Sequence, residues 1–172
     1  MITPDEDEGN PRGEALVQEL LWIHGIIRDN LNTISKIVGE INDGAPAGQI
    51  RSQIDDLTAN SAVWRLRVNC LHYCRLVHGH HHLEDMALFP GLRRANPDLC
   101  PVIDKLEADH VVVGEHLDRV EAAVQCIATE ASARANLASA LIELGEHLLA
   151  HLDYEEAGIA PTLRRLNDWP HA

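Results

Sequence analysis

The chain has 172 residues, enough for one domain with its own core and too few for two comfortable ones. Apolar residues make up 45% but aromatics only 3%, a mixture that suits interdigitating helices. The formal charge of −13 argues against nucleic acid, whose binding relies on Lys and Arg, and against anionic membrane surfaces. No early stretch reads as a secretory signal and no apolar run is long enough to span a bilayer, so the expected location is the cytoplasm.

Residues 1–9 are acidic and aperiodic, and are expected to form a loose tail ahead of a single domain over 10–167. Asn10-Pro11 is a helix start, with Asn as N-cap and Pro at the first helical position. From Glu14 to about Glu40, Val17, Leu20, Leu21, His24, Ile27 and Leu31 recur at helical spacing, and Asn42-Asp43-Gly44-Ala45-Pro46 is expected to break the run. A long second helix is predicted from about Ala47 to Leu88, ending near Pro90 because proline lacks an N–H and clashes with the preceding turn. Asn96-Pro97-Asp98 and Pro101 mark a loop or short irregular helix. A third helix then runs to about Thr129, and a fourth from about Ser132 to Ile159, with Pro161 as its stop. The fold class is all-α, an up-down-up-down four-helix bundle.

A twelve-residue frame occurs twice on these helices: His80, Glu84, Pro90 and Leu92-Arg93-Arg94, then His151, Glu155, Pro161 and Leu163-Arg164-Arg165. A His and a Glu four apart sit about 40° apart on one helix face, so each frame aims an imidazole and a carboxylate at one point. His24 and His110 precede the two pairs, each in the middle of an apolar stripe, where a polar group is costly unless it finds a partner. Metal ligation is one such partner, and helical bundles hold dinuclear iron in this way. Two buried carboxylates resist ionising together unless a cation neutralises them. Imidazole with carboxylate and no thiolate suits iron, manganese or zinc, and a paired site in a bundle favours two irons.

His147, four before His151, extends the ladder and is expected as a further ligand, the competing reading being a polar-core histidine. His81 and His82 point about 100° and 200° away from His80 on the wheel; His72, His78 and His116 also fall off the ligand faces, and His171 is terminal. Tyr73, seven before His80, returns to within about 20° of the ligand direction. It either serves a metal-bound oxygen species, as hydrogen-bond donor, proton source or ligand, or fills the core. Tyr154 reads as packing, each Leu-Arg-Arg as a solvated basic flank, and Cys70, Cys74, Cys100 and Cys126 as buried free thiols. The Cys70/Cys74 spacing also permits a soft-metal or redox role.

His80-x-x-x-Glu84 followed by Leu88-Phe89-Pro90, the isolated His110, and His151-x-x-x-Glu155 resemble the hemerythrin-like, or HHE cation-binding, family, and look closest to its actinobacterial members. That resemblance implies that His24, His80, Glu84, His110, His151 and Glu155 are iron ligands, with Glu84 and Glu155 bridging two irons together with an oxo or hydroxo group. Oxygen-carrying members place a second histidine four after the third-helix one, where this chain has Gly114; His147 is expected to replace it. The departure puts oxygen carriage in doubt. The expected function is catalase-like decomposition of hydrogen peroxide, with Tyr73 assisting proton movement, or handling of nitric oxide. The alternatives are a dioxygen carrier, a sensor of oxygen or iron, or a structural metal bundle without turnover.

Overall fold

A computed structural model describes residues 10–44, 62–127 and 132–170. Helix α1 spans Pro11–Gly44 and α2 spans Ala62–Leu83. A single π-helical turn, Glu84–Leu88, leads directly into the short α3, Phe89–Ala95. A 3-10 turn over Pro97–Leu99 precedes α4, Cys100–Cys126, and α5 covers Ala133–Leu163. No strand occurs among the described residues, and no helix there is long and apolar enough to cross a membrane. The proposed tail at 1–9 and the start of the second helix at Ala47 lie outside the described residues.

The four long helices form a ring in which α1 packs on α2 and α5, and α4 packs on α2 and α5. Contacts pair residues of rising number on one helix with falling number on its neighbour. Asn10 donates to the Leu166 carbonyl, His24 meets Glu156 and Arg28 meets Asp153; likewise Lys105 lies over Tyr154, His116 stacks on His147 and Arg119 pairs with Glu143. Neighbours are therefore antiparallel, the up-down-up-down arrangement.

Periodicity explains which faces turn inward. On α4, Ile103, Leu106, His110, Val113, Leu117, Val120 and Val124 are buried at alternating spacings of three and four, an inward stripe interrupted by one histidine. On α1 the same stripe runs Leu16, Val17, Leu20, His24, Ile27, Leu31 and Ile34. The buried apolar side chains form two separate clusters. One gathers Ile27, Leu31, Val77, Val113, Leu117, Leu148 and Leu152 among others; the second gathers Leu16, Leu20, Phe89, Leu106, Ile159 and Leu163. The inward histidines and glutamates fall between them.

Neither proline ends its helix. Pro90 follows the π turn, whose i→i+5 spacing widens the backbone just ahead of the ring and relieves the clash with the carbonyl four residues back, so the helical path continues to Ala95. Pro161 lies inside α5, which runs on to Leu163 and seats that leucine wholly in the core. The Leu-Arg-Arg segments are accordingly not simple solvated flanks. Leu92 and Leu163 are fully buried, Arg93 pairs with Asp104 and Glu107, and Arg164 pairs with Glu14. The twelve-residue frame thus repeats in sequence but not in backbone, one copy passing through a π turn and the other through regular α-helix.

Candidate metal centre

Each helix of the ring contributes to one buried polar layer. His24 comes from α1; His80, His81 and Glu84 from the α2–π junction; His110 from α4; His151 and Glu155 from α5. Their ligating atoms fall into two groups, each with all atoms within 4.8 Å of one another: His24, His80, Glu84 and Glu155, and His81, Glu84, His110 and His151.

Glu84 belongs to both groups. Its Oε1 lies 3.1 Å from His80 Nε2 and its Oε2 lies 3.4 Å from His110 Nε2, so the carboxylate straddles the two positions. Glu155 does the same through one oxygen, 3.5 Å from His24 Nε2 and 3.7 Å from His151 Nε2. Within the groups, imidazole nitrogens face one another: His24 Nε2 to His80 Nε2 at 3.1 Å, and His110 Nε2 to His151 Nε2 at 3.2 Å.

The outward nitrogens of the lone histidines are held by carboxylates. His24 Nδ1 is 2.8 Å from Glu156, which is anchored in turn by Arg28; His110 Nδ1 is 2.8 Å from Asp85. An Nδ1–H donated to a carboxylate fixes the tautomer that leaves Nε2 with its lone pair directed inward, the form a metal ligand needs. These acids follow the bridging ones in sequence, Glu84-Asp85 and Glu155-Glu156. Each frame therefore supplies a carboxylate to the site and a support for the histidine of the opposite helix.

Electrostatics agree with the geometry. Burial, then the neighbouring imidazoles, push His80 down to about 3; burial also pushes His151 down to about 3 and lowers His24, His110 and His81. The rings are neutral near pH 7, as ligation requires. Burial, and then the charge of Glu155, raise Glu84 well above the ordinary carboxylate range, and burial raises Glu155. All four oxygens of these two carboxylates, together with His81 Nε2, are buried without a hydrogen-bond partner. Unpartnered buried acceptors converging with inward lone pairs fit a pair of cations, which would satisfy at once what no protein donor reaches.

His24, His80, Glu84, His110, His151 and Glu155 come together. His147 does not join them: it is exposed and stacks on His116, its ring centroid 4.6 Å away. One turn of regular α-helix before His151 carries it along the bundle axis, beyond the layer and toward α4. The additional histidine is His81, only 5% exposed and stacked on His110 at 4.0 Å with planes 9° apart. Because Glu84 stands between two positions, the residues four and three before it each serve one of them, a reading available from His80-His81-x-x-Glu84 and missed by measuring angles from His80 alone. Asp85 and Glu156 were likewise legible as an acidic residue after each bridging glutamate.

His72, His78 and His82 are exposed, and His171 lies outside the described residues. Tyr73 is buried beside Cys70, Cys74 and Val77, and its hydroxyl has no protein partner. Of the four cysteines, Cys70 and Cys74 are buried while Cys100 and Cys126 are only half-buried; burial pushes the Cys70 and Cys74 thiols up to about 12, which leaves them protonated and unreactive.

No curated protein and no solved structure matches the chain. A family model described as the hemerythrin HHE cation binding domain matches residues 15–163, which contain every residue of the layer. The chain belongs to the hemerythrin HHE cation-binding family.

Proposed function

We propose that this chain holds two iron ions and decomposes hydrogen peroxide, converting two molecules of peroxide to two of water and one of dioxygen. The observation that carries the reading is the pair of carboxylates, Glu84 and Glu155, shared between two imidazole groups in one buried layer. His24 and His80 would hold one ion, His81, His110 and His151 the other. Paired irons supply two one-electron changes together, which matches a reaction that moves two electrons at a time.

The protein's part is positional. Glu156 and Asp85 hold His24 and His110 in the ligating tautomer, and Arg28 braces Glu156 against rotation. Apolar clusters lie above and below the layer, and away from its open side a buried protein group would carry the proton. Tyr73 is the group we assign: its hydroxyl is buried and donates to no protein atom, and burial holds it in the protonated form. The three-imidazole group built with His81 differs from that of the oxygen carriers in where its third ring originates, which disfavours simple carriage.

The test compares peroxide consumption by iron-loaded protein, metal-free protein and free iron. We expect turnover only in the first, about two irons per chain, and slower turnover in Tyr73→Phe at unchanged iron content. Stable, reversible oxygenation of the reduced protein without peroxide turnover would make it a carrier; iron retention with neither would make the metal structural.

A further inference from the structure

The two ends of the ligand layer face different surroundings. Beside His80 and Glu84 opens a chamber of about 520 Å³, walled by Trp22, Ile23, Leu83, Leu88 and Trp169. Around His151 the space is only about 120 Å³ and is edged by Lys105, Asp109 and His147. The larger chamber is built rather than incidental: the Trp169 indole N–H donates to Glu19 at 2.8 Å, which fixes the C-terminal wall against α1. Trp22 and Leu83, each 68% exposed, place large apolar surface at its mouth.

Hydrogen peroxide, dioxygen and nitric oxide need none of this. A chamber of this volume is in the range of small-molecule sites, where apolar walls hold the body of a ligand and a few polar groups orient one end. The polar groups here are the inner His80 and Glu84, with Glu19 at the wall, where it accepts from Trp169. No lysine or arginine lines it, so an anionic body would enter without a counter-charge.

We propose that the chamber admits neutral organic hydroperoxides, the hydrocarbon body against Trp22, Leu83 and Trp169 and the peroxide end at His80 and Glu84. The proposal rests on the peroxide reading above. The O–O bond of the hydroperoxide breaks as it takes up two electrons and two protons, giving an alcohol and water. Hydrogen peroxide supplies those electrons and protons and leaves as dioxygen, so that ROOH and H2O2 become ROH, H2O and O2.

Two measurements on the full chain test it. The first titrates 2-phenylpropan-2-ol, a redox-inert analogue, into metal-free and iron-loaded protein and follows tryptophan emission, with 4-isopropylbenzoate as the anionic control. We expect a saturable change with the alcohol and none with the carboxylate. The second takes the ratio of cumene hydroperoxide to hydrogen peroxide turnover, each assayed with hydrogen peroxide present as reductant. Ala87→Leu, which fills the chamber from a partly exposed position, is expected to lower both this ratio and alcohol affinity about tenfold or more. Leu83→Asn, at the surface, should act in the same direction without threatening the fold. Hydrogen peroxide turnover without alcohol binding, or a ratio unmoved in both variants, overturns the chamber proposal alone. Alcohol binding without turnover of either peroxide overturns the catalytic reading, and the hydroperoxide as substrate with it.

Discussion

His81 and Leu152 occupy equivalent places in the two frames, each directly after the histidine that begins the frame, and both are buried. That single difference makes the layer unequal, three imidazoles at one position and two at the other. It also defines a contrast between neighbours that a helical wheel ranks in the wrong order. His81→Ala is expected to reduce metal affinity by at least the roughly 10- to 100-fold seen for supporting residues, whereas His147→Ala should leave iron content and the visible spectrum unchanged. Metal analysis of the two variants side by side decides it; equal retention would return His81 to the role of a packing ring against His110. The other side chains of the layer were legible because each falls on the inward face of its own helix. His81 is legible only through Glu84, three residues on, because its place in the layer follows from a carboxylate shared across two positions rather than from its angle to His80.

At the scale of elements, apolar periodicity announces the four helices, while the stops expected at Pro90 and Pro161 do not occur. A proline's cost depends on the turn before it and on what the next turn buries. The π turn accommodates Pro90, while Leu163 gives α5 a reason to continue past Pro161. The close approach of α1 to the end of α5 sets a second constraint that composition could not reveal. A Cβ at Gly13 would stand 2.1 Å from the carbonyl oxygen of Arg164, and one at Gly91 would stand 2.6 Å from the Pro170 backbone. Backbone atoms cannot yield as a side-chain tip can. Gly13→Ala should therefore destabilise the protein by about 1–3 kcal/mol, the cost of forced overpacking. Thermal unfolding of the metal-free variant against its parent measures this; an unchanged midpoint would mean the helix ends separate at little cost.

Across the whole molecule, the polar layer divides the hydrophobic interior into two stacks that share α1, α4 and α5, with α2 completing one and the π turn and α3 the other. Without cations, two buried acids and five inward imidazole nitrogens would have to meet there with few donors among them, and the layer would resist closing. Hydrogen exchange on metal-free protein should accordingly resolve two rates, faster in the smaller stack around Leu16, Phe89, Leu106 and Leu163 than around Leu31, Val77, Leu117 and Leu148. Metal binding should merge them into one slow class; a single class in both states would show that helix continuity alone couples the ends. The ions would then act as a rivet through a beam made of two shorter pieces. Losing them leaves each piece intact and takes away the stiffness that lets one end register what happens at the other.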